Sequence, residues 1–137
     1  MKQIDIKHLR TLHDLSDAEL KGLLELARKV KKNPSRYRTK LSGKSVALLF
    51  EKTSARTRSS FDVGIAQLGG HSLTLDWKST QLGKASLKDE IRCIARYVDI
   101  IAARVYSQST IDEMAKFAKK PVINMLSDTN HPCQALG

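Results

Sequence analysis

Cysteine is scarce in this chain of 137 residues: there are two, Cys93 and Cys133. Two thiols make no disulfide framework, and neither a Cys-x-x-Cys pair nor a paired Cys/His spacing points to structural zinc. A reducing, cytoplasmic setting is therefore the expectation. Aromatic residues amount to only 5%, and none interleaves with basic residues as a platform for stacked bases would. No apolar run approaches the roughly 20 residues of a membrane-spanning helix. The start, MKQIDIKHLR, lacks both the apolar core of a secretory signal and the Arg/Ser-rich character of a transit peptide. Neither a membrane nor nucleic acid is expected as a partner. Acidic residues are also few, 14 against 24 Lys and Arg, for a net charge of +10.

That charge is unevenly spread. Residues 1–58 carry 15 Lys/Arg against 6 Asp/Glu, whereas residues 59–137 carry 9 against 8. Such a skew suits nucleic acid, an anionic substrate or an acidic partner domain, and equally a plainly solvated face. What remains is ordinary: 41% hydrophobic and 28% charged residues, enough for one domain with one core.

Ser16 and Glu19 have the spacing of a capping box, and Leu20, Leu23, Leu24, Ala27 and Val30 follow at helical intervals until Asn33-Pro34 ends the run. Polar, basic residues to Lys44 read as a connection. Val46 to Phe50 is a short continuous apolar run, as in a strand covered on both faces. Phe61, Ile65 and Leu68 then mark a helix closed by Gly69-Gly70. The alternation continues with a strand at 71–75, a helix through Leu87, Ile91, Ile94, Ala95 and Val98, and a strand from Ile100 to Val105. A helix through Ile111, Met114, Ala115 and Ala118 and a strand from Val122 to Leu126 complete it. Strands separated by single helices predict an α/β fold in three layers, with a central parallel sheet of about four strands and helices on both faces. The sequence stops at Gly137 within what reads as the first turn of a further helix, so a fragment of a longer protein is expected.

In open α/β sheets ligands bind beyond the carboxyl ends of the strands. Four segments fall there: Glu51 to Arg58, Lys78 to Lys84, the neighbourhood of Arg104, and Asp128 to Gln134. Hydroxyls, amides, cations and one imidazole dominate them, which is donor chemistry for an anion. The first segment opens a helix, where unpaired N–H groups and the helix dipole favour negative charge. Ser54, Arg56 and Thr57 would add charge-assisted bonds to phosphate oxygens. Ser54 as a plain cap and the arginines as surface charge is the alternative, weakened because cations in a first turn oppose the dipole unless an anion offsets them. Neither GxxxxGK followed by Ser or Thr nor GxGxxG is present, so nucleotide-type phosphate loops are excluded. Arg104 and His131 have structural alternatives of their own, as a strand-end cation and a loop imidazole. Nothing singles out Cys133 as a nucleophile. His8, His13 and His71 lack companions at ligand spacing.

Phe50-Glu51-Lys52-Thr53-Ser54-Ala55-Arg56-Thr57-Arg58 resembles the phosphate-binding signature of the aspartate/ornithine carbamoyltransferases, S-T-R-T-R, with a lead-in closer to the ornithine branch. His131-Pro132-Cys133-Gln134 is similar to that branch's second signature, H-P-(C/T)-Q. Gln81-Leu82-Gly83 resembles a loop that reaches a neighbouring subunit's site across a trimer interface. The family's usual threonine is Ala55 here, which removes one hydroxyl but leaves a backbone N–H, so weakened rather than absent phosphate binding is expected.

The resemblance implies that residues 1–137 form a carbamoyl-phosphate-binding domain of a carbamoyltransferase, with ornithine held by a second domain and a homotrimer as the working assembly. It implies Ser54, Ala55, Arg56, Thr57, Gln81, Arg104, His131 and Gln134 as carbamoyl-phosphate contacts, with Arg104 and His131 as the catalytic pair. Neither a cofactor nor a metal is implied. The fragment by itself is expected to bind carbamoyl phosphate without useful turnover. The alternatives are a carbamoyltransferase for putrescine, aspartate or a modified ornithine, and a non-catalytic anion- or RNA-binding module.

Overall fold

The computed structural model describes residues 4–137. Helix α1 (Asp17–Lys32) begins at the expected capping box: the Ser16 side chain accepts from the Glu19 amide while the Glu19 carboxylate accepts from the Ser16 amide. No residue of α1 is fully buried. Its half-covered stripe runs through Leu20, Leu23, Leu24, Leu26 and Val30, and Ala27, expected on that stripe, is exposed. The basic connection holds a single 3-10 turn, Pro34–Tyr37, against which α1 packs.

The alternation then follows the expected order: β1 (Ser45–Phe50), α2 (Ala55–Gln67), β2 (His71–Asp76), α3 (Leu87–Ile94), β3 (Ile100–Arg104), α4 (Gln108–Phe117), β4 (Val122–Leu126) and α5 (Pro132–Leu136). All strand pairs are parallel, in the order β2-β1-β3-β4. The chain therefore moves one way from β1 to β2, then crosses back over β1 to reach β3 and β4. Alternation along each strand sorts the core into two layers. Val46, Leu48, Phe50, Ala102 and Met125 pack with Ile65 of α2 on one face. Ala47, Leu49, Ile101 and Ala103 pack with Ile91 of α3 and Ile111 and Met114 of α4 on the other.

Two details matter for the strand ends. The β3/β4 register shifts between Ala103 and Arg104, so that Ala103 faces Asn124 but Arg104 faces Leu126. The extra residue on β4 loosens the pairing at the rim, as bulges do near functional sites. The outer edge of β4 is covered by the N-terminal segment, where the Leu9 amide donates to the Val122 carbonyl and the Asn124 amide donates to that of Leu9. Leu49, fully buried at the centre of the sheet, tests this core: Leu49→Ala should lower stability by about 2–5 kcal/mol, read as a lower denaturation midpoint at unchanged m-value.

Candidate active site

Because the strands are parallel, their carboxyl ends share one rim. Phe50 lies opposite both Asp76 and Arg104, and Arg104 lies opposite Leu126. Ser54, Arg104 and His131 thus lie four, none and five residues beyond the ends of three adjacent strands. The crossover reversal lies between β1 and β3, where the first connections turn away to opposite sides and leave a crevice.

On the β1 side, Ser54 caps α2 and its hydroxyl accepts from the Thr57 amide at 3.2 Å. The first two helical amides, of Ala55 and Arg56, have no intrahelical acceptor and are free for an anion. A cleft of ≈ 370 Å³ opens between this terminus and the end of β2, lined by Phe50, Thr53, Ser54, Ala55, Arg58 and Asp76. Arg58 and Thr53 were not among the expected contacts, while Arg56 is exposed and does not line this cleft. Helical phase is the reason: Ala55 and Arg58 are three apart and share a face, and Arg56 points elsewhere. The same i, i+3 rule applied to the sequence could have picked out Arg58. Asp76 contributes a carboxylate to the wall, yet one of its oxygens already accepts from the Lys78 and Ser79 amides.

On the β3 side, Arg104 shares the strand face of Ala102, which looks toward α2. Its Nη1 donates to the Thr57 hydroxyl at 3.3 Å. That hydroxyl accepts from the guanidinium, so its own proton is left for a third group. Arg104 Nε is buried with no protein acceptor, a donor left open at the rim. The backbone around Arg104 is clamped to β1: the Glu51 amide donates to the Arg104 carbonyl at 2.9 Å, and the Tyr106 amide donates to the Glu51 carboxylate at 2.7 Å. Lys52 stacks on the Tyr106 ring, 4.7 Å from its centroid.

On the β4 side, His131 caps α5, and its Nδ1 accepts from the Gln134 amide at 3.3 Å. A neutral imidazole bonded in this way carries its proton on Nε2, the nitrogen left to donate elsewhere. Desolvation, then the nearby Arg104 charge, hold the His131 pKa below its ordinary value, which favours that neutral donor. The Cys133 thiol donates to the Asn124 carbonyl, and burial pushes it up to about 11. It is a neutral packing group, as expected. The Gln134 side chain is exposed at the rim.

Gln81 is not drawn into this group. It is exposed in the loop between β2 and α3, which is built by its own contacts. The Glu90 carboxylate accepts from the Gly83 and Ala85 amides, and Gly83, at φ +91°, lies so close to Trp77 Nε1 that a Cβ would stand 2.9 Å from it. Trp77 packs beneath its own loop against the core, so its burial needs no neighbouring subunit. Among the described residues no cluster of His, Cys, Asp and Glu could hold a metal ion, and no helix is long and apolar enough to cross a membrane. His8 accepts from the Val122 amide and braces the β4 edge.

Desolvation, then nearby cations (Arg104 for His131, Lys7 and Arg10 for His8), hold both imidazoles below their ordinary pKa. A folded-state pKa below the unfolded value of about 6.5 means that the fold resists protonation, so this stability is present above that pH and is lost as pH falls through the folded pKa values. Both imidazoles should titrate below 6.5 by NMR, and the denaturation midpoint should drop on acidification from neutrality. His131→Asn, which keeps a capping side chain, should reduce that drop; an unchanged slope would contradict the assignment.

A family model described as aspartate/ornithine carbamoyltransferase, carbamoyl-P binding domain, matches residues 7–137. The ornithine carbamoyltransferase of Shewanella oneidensis is 48% identical over 132 residues, covering 96% of this chain and 44% of that protein. Among solved structures, ornithine carbamoyltransferase from Thermus thermophilus superposes with a TM-score of 0.88 at 43% identity, over 96% of this chain and 46% of that one. The enzyme from Pyrococcus furiosus gives 0.89 at 43% identity, over 95% and 42%. The chain thus spans less than half the length of these relatives.

Proposed function

On the premise that this chain belongs to the aspartate/ornithine carbamoyltransferase family as a carbamoyl-phosphate-binding domain, we propose that it grips carbamoyl phosphate at the β1/β3 crevice as part of an ornithine carbamoyltransferase. The observation that carries the reading is the bond between Arg104 and Thr57. It joins the cation at the end of β3 to the helix terminus after β1, so that donors converge from two strands on one anion.

Each role is proposed from the chemistry of the side chain and its place at the rim. The Ser54 hydroxyl, the Ala55 and Arg56 amides, the Thr57 hydroxyl and a guanidinium surround the phosphate and stabilise it as it departs. Arg56 is that guanidinium in the family signature; Arg58, which lines the cleft between the β1 and β2 ends, is added as a second cation beside the α2 terminus. An incoming amine attacks the carbamoyl carbon, its electron pair forms the new C–N bond, and the carbonyl oxygen becomes an oxyanion. Arg104 and the His131 Nε2–H point donors at that oxygen, where charge grows during the step. Collapse expels phosphate with the C–O bonding pair, and the departing phosphate takes the proton that the amine nitrogen gives up. Gln134 orients the carbamoyl NH2 through its side-chain carbonyl. Most of the acceleration is then positioning and preorganised charge.

The remainder of the reading concerns the larger protein. Ornithine is held by a second domain, Gln81 enters a neighbouring subunit's site in a homotrimer, and the reaction serves arginine biosynthesis in the cytoplasm. Residues 1–137 alone bind the first substrate and do not turn it over. Two similarities support ornithine as the acceptor: the Phe50-Glu51-Lys52 lead-in and the ornithine carbamoyltransferases matched over nearly the whole chain.

Carbamoyl phosphate should raise the melting temperature of the chain by mass action. Arg58→Ala and Arg56→Ala should each reduce that protection, and Lys116→Ala, on the far surface of α4, should leave it intact. Equal protection in all three variants would sink the site. Ala55→Thr, which restores the missing hydroxyl, should tighten binding by about 0.5–1.5 kcal/mol in calorimetry. Tighter binding of single-stranded RNA, with a steep salt dependence, would favour a nucleic-acid module instead.

A further inference from the structure

A polar cluster lies behind the rim, on the α4 side of the sheet. Asn124 is fully buried in β4. It shares the strand face of Val122, which packs toward α4, and it meets Gln108, the first residue of α4. Gln108 Oε1 accepts three hydrogen bonds: from Ser127 Oγ at 2.6 Å, Asn124 Nδ2 at 3.2 Å and Asn130 Nδ2 at 3.3 Å. Its Nε2 is buried and donates to nothing. The amide cannot be turned over profitably, because two of the three partners are themselves NH2 donors. The Asn124 amide is oriented in turn by donating to the Arg10 carbonyl at 2.9 Å. The Gln108 side chain thus acts purely as an acceptor, while its backbone amide is engaged elsewhere.

The donors it collects control the residue before His131. Ser127 Oγ, whose one proton goes to Gln108 Oε1, accepts from the Asn130 backbone amide, and the Ser127 backbone amide donates to the Asn130 carbonyl at 2.9 Å. Asn130 is consequently held at its amide, its carbonyl and its side chain, and its carbonyl belongs to the peptide bond that leads into His131. The Gln108 amide also donates to Asp128 Oδ1 at 2.8 Å, which ties the loop to α4 at a second point. We infer that Gln108 is a positioning residue: its side-chain oxygen holds the Ser127–Asn130 turn so that His131 presents Nε2–H to the carbamoyl oxygen. The inference rests on the proposed role of His131 but assigns a function to a residue that touches no substrate.

Acceptor-only use makes an unusual demand on substitutions. Glu retains the oxygen that Asn124, Ser127 and Asn130 need, and a negative charge at the first position of α4 suits the helix dipole, although Asp128 stands nearby as a like charge. Met has similar length but no strong acceptor, and leaves buried donors without a partner. The experiment compares calorimetric binding of carbamoyl phosphate and inorganic phosphate to the wild-type chain, Gln108→Glu and Gln108→Met, with nitrogen NMR of the His131 ring. Gln108→Met should lose roughly tenfold in the preference for carbamoyl phosphate over phosphate, the size expected when one buried donor loses its acceptor. Phosphate affinity itself should stay constant, because the α2 terminus is untouched. Gln108→Glu should keep both the preference and the Nε2–H tautomer signature that Gln108→Met loses. Should Gln108→Met fail to fold, Ser127→Ala takes its place with the same expectation. A wild-type preference that survives in Gln108→Met or Ser127→Ala, or is lost in Gln108→Glu, overturns this inference alone. Absence of any preference in the wild type overturns the His131 role and this inference with it.

Discussion

The reach of the Arg104 guanidinium across to Thr57 is the constraint on which the rim depends. A half-buried cation at a strand end is costly unless its donors find acceptors. Here one donor is satisfied by a hydroxyl and another, Nε, is left without a protein partner. The two strands that bracket this cation are locked at their ends through Glu51, which takes one hydrogen bond from Tyr106 and gives another to the Arg104 carbonyl. The donors therefore do not have to be gathered by the ligand. They are held in place by the sheet, which is what preorganisation for a developing oxyanion requires.

The rest of the fold serves that rim. Because β2 and β3 flank β1 on opposite sides, α2 and α3 leave on opposite faces and the space above β1 and β3 stays open. Small residues on β3, Ala102 and Ala103, are fully buried and let the layers close tightly. The bulge beside Arg104 frees the last residues of β4 from strict pairing, and the Asn124–Ser127–Asn130 cluster holds the turn that precedes His131. Polar groups buried beneath a site are stabilising only when they are nearly all paired. The two unpartnered atoms, Gln108 Nε2 and Asn124 Oδ1, mark where that condition is least well met.

Electrostatics point the same way on a coarser scale. The basic excess sits in residues 1–58, the half that contributes the α2 terminus. An imidazole next to Arg104 is kept neutral by desolvation and by that charge. A dianionic ligand would offset the guanidinium and so relax part of the pressure on the imidazole. The cations and the imidazole are thus coupled through the ligand they are proposed to share.

Much of this could be read in the chain itself. The continuous apolar run at Val46–Phe50, followed by three strand-like segments separated by single amphipathic stripes, points to a parallel sheet with helices on both faces. The capping box at Ser16 and the cap at Ser54 were legible for a local reason: each depends on a side chain and an amide three residues apart. Ala27 was misplaced because a helix packed on one short turn need not bury a full stripe. Tertiary structure alone decided the finer matters. Which arginine of the α2 terminus lines the cleft depends on the helix's rotation against the sheet; that Gln108 and Asn130, 22 residues apart, meet behind His131 depends on β4 lying beside β3. Short-range hydrogen bonds and periodicity are written in neighbouring residues, whereas contacts across a sheet follow from the order in which its strands assemble.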